Sequence, residues 1–263
     1  MNTHGIRVRM TLVCLAAAAI GCAGSKPVQV QLSPGARIGI LNLVGTQMTH
    51  IEMAALRYDS FTNAYPVGWD LAGFLTRRVE TELGSRASYS FVPIPADAAP
   101  GWARSMSESI HSTANTWLSG DLQRFLSRVA TDNRLDLIVT VSTYQTGMQP
   151  PDSCFEVYKS DIPTQGYGLF TRSGVLPQNQ WVPLGGDKAR AFANVLVAVF
   201  QAQPVALAAY AYAPCSDAPL TGFPWPADIH FLSDAQLDAL RPAVEALAGE
   251  AVRPALAKAG LLP

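Results

Sequence analysis

His50 and Glu52 stand two apart in Gln47–Leu56, a stretch whose partial alternation predicts a strand, so both side chains fall on one face. An imidazole beside a carboxylate is the smallest set that can do general acid–base work. A metal site would need a third ligand, and none stands near them in sequence. The plainer reading of the pair is a polar strand face. His111 lies beside Ser112 and two residues from Ser109, which are nucleophile and base types. Such groups meet through a fold, however, and chain adjacency means little. Asp132 and Asp136 flank a predicted helix-to-strand junction. Paired carboxylates cleave glycosides only at a defined separation, and capping or turn duty accounts for both.

The larger catalytic signatures are absent. There is no phosphate-binding Gly-rich loop, no His-Glu-x-x-His and no Gly-x-Ser-x-Gly. Gly166-Tyr167-Gly168 supplies only two of the dinucleotide glycines and sits inside a predicted strand. No cofactor is expected. No basic run or Arg/aromatic interleaving occurs, so no nucleic acid is expected as a partner.

The elements that must position these residues follow from periodicity. Arg37–Val44 is apolar on both faces, as a central strand is, and Gly45-Thr46 can turn it into a hairpin with Gln47–Leu56. Asp70 caps a helix to Gly84 whose Leu71, Phe74, Leu75, Val79 and Leu83 share a face. Tyr89–Val92 is a short strand ended by Pro93. Trp102, Met106 and Ile110 are spaced for a helix, although the surrounding Ser and Thr oppose it. Leu122, Phe125, Leu126 and Val129 form the buried stripe of a further helix, which Asn133 can end, and Leu135–Thr143 is a strand. Gly166–Arg172 is another strand. Ala191–Ala213 is long and apolar enough to raise a membrane span. Gln201, Gln203 and Pro204 interrupt it, and strand-turn-strand fits better. Ser233 with Gln236 forms a capping box for a C-terminal helix that Pro242 should kink or restart. This order favours an α/β class (α+β as the alternative): a single three-layer-like domain, residues 36–263, with a mixed β-sheet flanked by helices.

The first 21 residues read as a signal peptide. Arg7 and Arg9 precede an apolar run, Met10–Ile20, that is too short for a permanent span. The run ends in Ala19-Ile20-Gly21-Cys22. This resembles the lipobox of bacterial lipoproteins, with Ala19 where that family usually carries Leu. The resemblance implies lipid attachment (acyl chains such as palmitate) at Cys22. Ala23, where an Asp would favour inner-membrane retention, implies the outer membrane facing the periplasm. Residues 22–35, with Pro27, Pro34, Gly24 and Gly35, then form the lipidated cysteine and its linker, about 40 Å at full stretch. At the level of element order alone, the mature domain is loosely similar to α/β envelope-assembly lipoproteins such as penicillin-binding-protein activators.

Composition fits that placement. Of 263 residues 49% are hydrophobic and 15% charged, enough apolar mass to bury a full core. Losing Arg7 and Arg9 takes the formal charge of −1 to about −3. Four cysteines are present. Cys14 leaves with the signal, Cys22 takes lipid, and Cys154 and Cys215 remain as an even pair in an oxidising compartment, where a disulfide is expected. It would close a loop of about 60 residues, worth roughly 4 kcal/mol. That bridge would bring Asp152, Asp217, Phe223 and Trp225 to one rim, where aromatics beside carboxylates can stack sugars or anchor a partner chain. The plainer reading is that Phe223 and Trp225 cap the core beneath a long loop.

The function these features point to is a non-enzymatic binding or scaffold module of the cell envelope, tethered to the membrane through its lipid, with an envelope protein or glycan as partner. The alternative is a periplasmic hydrolase acting on envelope polymers, with His50 and Glu52 or the rim aspartates as acid and base, or a carbohydrate-binding protein presenting Trp181 or Trp225 over an open groove.

Overall fold

The structure, a computed structural model, describes residues 29–54, 60–84, 88–101, 110, 120–144, 165–175, 181–183, 189–213, 217–226, 228 and 230–263. Cys22, Cys154, Cys215, Asp152 and His111, with Ser109 and Ser112, lie outside the described residues.

The fold is α/β, and its strands divide between two mixed sheets rather than forming one. The first has the order β10-β9-β5-β1-β4, built from β1 (Arg37–Asn42), β4 (Ser90–Ile94), β5 (Leu137–Thr143), β9 (Val195–Ala202) and β10 (Val205–Tyr212). Here β1 lies parallel to β4 and β5, while β9 and β10 run antiparallel to their neighbours. The second has the order β11-β8-β6-β2-β3, from β2 (Gln47–Ala54), β3 (Phe61–Pro66), β6 (Tyr167–Val175), β8 (Ala189–Ala193) and β11 (Asp217–Pro219), with β7 (Trp181–Pro183) beside β6. Strands β5 and β9 are apolar and buried on both faces, the expected consequence of helices on each side. The long apolar run expected to be strand-turn-strand is β9 and β10, joined by a turn at Gln203-Pro204.

Helix α1 (Leu71–Gly84) opens on the Asp70 cap, whose carboxylate accepts the Gly73 N–H at 2.7 Å. Helix α2 (Gly120–Asn133) covers one face of the first sheet, with Leu122, Phe125 and Leu126 against Leu41, Ile138 and Phe200. The left-handed residue that ends it is Arg134 rather than Asn133. Helix α3 (Asp234–Gly249) begins at the Ser233–Gln236 capping box and runs on through Pro242, which is exposed, so water can take the carbonyl that loses its partner. Helix α4 (Val252–Lys258) follows. Helices α1 and α4 pack on the other face of the first sheet and α3 on the second, within one hydrophobic core.

Three further sequence expectations change. β2 does not form a hairpin with β1; it crosses into the second sheet, where its partners are β3 and β6. β3 was not expected at all, because its alternation of half-buried and exposed residues carries little apolar signal. Residues 29–35 are not a free linker. Val30 is buried, its N–H donates to the Ala259 carbonyl at 3.3 Å, and the Gly35 N–H donates to Ser88 at 3.0 Å. Val30 and partly buried Leu32 join the core, and apolar burial outweighs the freedom of an otherwise polar stretch.

Candidate functional site

The polar residues with chemical potential converge between β2 and β6. The two strands run parallel, with His50 opposite Leu169 and Glu52 opposite Thr171. They approach closely at Thr49 and Gly168, where a Cβ would lie 1.8 Å from the Thr49 carbonyl oxygen, so only glycine fits. His50, Glu52 and Thr171 are all fully buried. His50 Nε2 lies 2.7 Å from Thr171 Oγ1, and the Thr171 hydroxyl donates to Glu52 Oε2. A hydroxyl has one proton. With that proton on Glu52, His50 must donate through Nε2–H, which leaves Nδ1 as a bare acceptor. Nδ1 has no hydrogen-bond partner.

Aromatic residues close over this cluster. Phe61, from β3, meets the His50 ring edge-on at a centroid distance of 5.2 Å, and Tyr65 lies 6.4 Å away. His230 stacks on Phe61 at 4.4 Å, and its carbonyl accepts from the Tyr65 hydroxyl and from Asn63 Nδ2. Burial strips water from the imidazolium form and drives the His50 pKa from 6.5 down to about 4; the charge on His230 acts in the same direction. His50 is therefore neutral at neutral pH.

The set holds a hydroxyl, an imidazole and a carboxylate, the ingredients of a nucleophilic triad, in the wrong order. In a triad the carboxylate orients the base through its second nitrogen. Here the hydroxyl sits between the other two, and Nδ1 faces no carboxylate. No surface reaches the hydroxyl oxygen for a reacting atom to occupy. The arrangement works as a polar clip between β2 and β6. Its buried hydrogen bonds satisfy groups that would otherwise cost about 1–3 kcal/mol each.

A second clip joins β8 to β11, where Arg190 Nε donates to Asp217 Oδ2. Three members of the expected rim are among the described residues. Asp217 is buried in an ion pair, Phe223 is only 9% exposed, and Trp225 packs partly buried against the core. The loop that carries these aromatics is held down by Gln236, whose side chain donates to the Pro224 carbonyl at 2.7 Å. The three described members of the cluster thus face inward, as core-capping residues do. Of Trp181 only the strand backbone is described. Asp136 does junction duty: its carboxylate accepts the Arg37 N–H at 2.8 Å and its own N–H donates to the Arg37 carbonyl, fixing where β1 and β5 begin.

Two open clefts lie among the described residues. One, of about 500 Å³, is lined by polar residues including Gln29, Gln31, Ser33, Asp136, Gln201 and Gln203. The other, of about 400 Å³, lies between α1 and α3–α4 and includes Phe74, Arg78, Gly249 and Arg253. The His50 cluster lines neither. Among the described residues no group of three His, Cys, Asp or Glu could hold a metal, and no helix is long and apolar enough to cross a membrane.

Sequence reasoning missed Thr171, Phe61, Tyr65 and His230. One signal was available: Tyr167, Leu169 and Thr171 alternate onto one face of β6, and a threonine among inward apolar positions asks for a buried partner. The identity of that partner depends on a pairing about 120 residues away in the chain.

No protein-family model matches the chain, and no curated protein matches it. Among solved structures it is similar to a hypothetical protein from Chlamydia trachomatis at 11% identity, covering 85% of this chain and 95% of that one, with a TM-score of 0.36, a likeness too loose to bear on function.

Proposed function

We propose that this chain is an outer-membrane-tethered periplasmic lipoprotein that serves as a non-enzymatic binding or scaffold module of the cell envelope. The tether rests on the apolar run ending in Ala19-Ile20-Gly21-Cys22. The non-enzymatic reading rests on one observation: the described group that most resembles catalytic machinery, His50–Thr171–Glu52, is sealed in the core and serves to join two strands. A hydrolase built on His50 and Glu52 would need a route to them.

The test has two parts. Cys22→Ser should move the protein from the membrane fraction to the soluble periplasm and abolish fatty-acid labelling; tight membrane association in the variant would discard the tether. Thr171→Val should leave any envelope phenotype intact wherever the protein still accumulates folded. Loss of that phenotype at normal abundance, together with hydrolysis of envelope glycans or peptides by the wild-type protein alone, would replace the scaffold reading with the hydrolase.

A further inference from the structure

The described chain enters the domain at one end of the first sheet. Val30 is pinned to Ala259, Gly35 to Ser88, Ser90 to Ala36, Asp136 to Arg37 and Ala202 to Asp136. These bonds gather the N-terminal strap, the starts of β1, β4 and β5, the Gln203-Pro204 turn and the end of α4 at one pole of the first sheet. The far pole lies a strand length away, roughly 20 Å up β5, where Leu43 bonds Val141 and Tyr144 bonds Asn194.

Cys22 and Gln29 are separated by seven residue steps, which reach at most about 25 Å. A domain of about 235 residues has a radius of gyration near 18 Å and a diameter of about 45 Å. A leash shorter than the body it holds cannot let that body turn over. The linker expected from sequence would have reached about 40 Å, close to the width of the domain, and the docking of residues 29–35 shortens that reach to about 25 Å.

The chemistry of the near pole suits a headgroup layer rather than hydrocarbon. Gln29, Gln31, Ser33 and Gln203 are exposed there, as are Arg37, Arg134 and Lys258, beside the carboxylates of Asp132 and Asp136. Amide and cationic donors match phosphate acceptors, and among the described residues no large apolar side chain stands out from this pole to insert. We infer that the pole formed by the strap, the Gln203-Pro204 turn and the Lys258 helix end rests against the phospholipid headgroups, and that the pole carrying Gly45 and Thr46 faces away from the bilayer. This inference rests on Cys22 being the lipid anchor.

The test uses the full-length protein in its own envelope, with a benzophenone side chain in place of Gln203 or of Thr46, both exposed turn positions. Irradiation should give phospholipid adducts at least fivefold more abundant from position 203 than from position 46. Inserting about twenty Gly/Ser residues between Lys26 and Pro27, which lengthens the leash to about 95 Å at full stretch and so beyond the width of the domain, should bring that ratio below twofold. Equal adducts from the two positions, or an unchanged ratio with the long leash, would overturn the inference. Fatty-acid labelling is read on the same samples. Its absence would remove the tether and this inference together, whereas labelled protein with equal adducts would remove this inference alone.

Discussion

The two sheets solve the same problem by different means. The first is held by apolar residues on both faces, and its few buried polar groups are peripheral to the pairing: Thr140 makes one long bond of 3.4 Å to the Ala198 carbonyl, and the Ser142 hydroxyl has no partner. The second places a His–Thr–Glu clip across β2 and β6 and an Arg–Asp pair across β8 and β11. Apolar burial is non-directional, so a sheet that relies on it needs register from elsewhere, and the first sheet takes it from Asp136 at the start of its two inner strands β1 and β5. Hydrogen bonds are directional. In the second sheet the buried clips pin register from within, where a one-residue slip would strand His50, Glu52 and Thr171 apart.

Substitutions matched between the sheets sharpen or break this contrast. The largest difference is expected at glycine. Gly168→Ala drives a Cβ into the Thr49 carbonyl, backbone that cannot yield, and should cost more than about 4 kcal/mol or prevent folding. Gly39→Ala meets the Leu135 Cδ1 atom at 2.5 Å, a side-chain tip that can rotate, and should cost about 1–3 kcal/mol. Soluble yield and urea midpoints would rank them, and an equal loss would erase the distinction.

Thr171→Val keeps the shape but removes the hydroxyl joining His50 to Glu52, for an expected loss of about 3 kcal/mol in urea denaturation. Thr140→Val in the first sheet should cost less than about 1 kcal/mol. The reverse ranking would show that the clip contributes little.

Acid should find the second sheet first. The folded state holds His50 unprotonated down to about pH 4, whereas an unfolded chain protonates near 6.5. The unfolded state therefore binds more protons in that window. Stability falls as pH drops from 6.5 towards 4, by a total of about 3 kcal/mol from this group. His50→Gln should flatten that part of a pH–stability curve, and an unchanged slope in the variant would assign the acid sensitivity elsewhere. A small effect is expected of Ser233→Ala, which removes the cap of α3 and should cost about 1 kcal/mol by thermal or urea melting.

Local chemistry made much of the fold legible. The Asp70 and Ser233 caps, the α2 stripe of Leu122, Phe125 and Leu126, and the two-sided apolar run of β9 depend on neighbours within a turn or a strand, and a reader of sequence sees those neighbours. Pairing between distant strands was not legible. Gly45-Thr46 is as good a hairpin turn as it is a crossing, and nothing near it announces β6 as the partner of β2. For the same reason the shared face of His50 and Glu52 could be read, but not that it faces inward. That depends on Thr171, Phe61 and His230, brought in from three other places in the chain.

Asn194 lies alone between β8 and β9. It is fully buried, its N–H bonds the Gly166 carbonyl, and its carbonyl accepts from Tyr144. One residue thus hands the backbone from one sheet to the other, the shortest of the five passages the strand order requires; Leu43–Thr46 makes another. There is no slack at Asn194 for a protease to cut or for one half to peel away from the other. Tension applied by a bound neighbour to either sheet is delivered to its twin within a single peptide step, so the two halves should melt, or endure a pull, together.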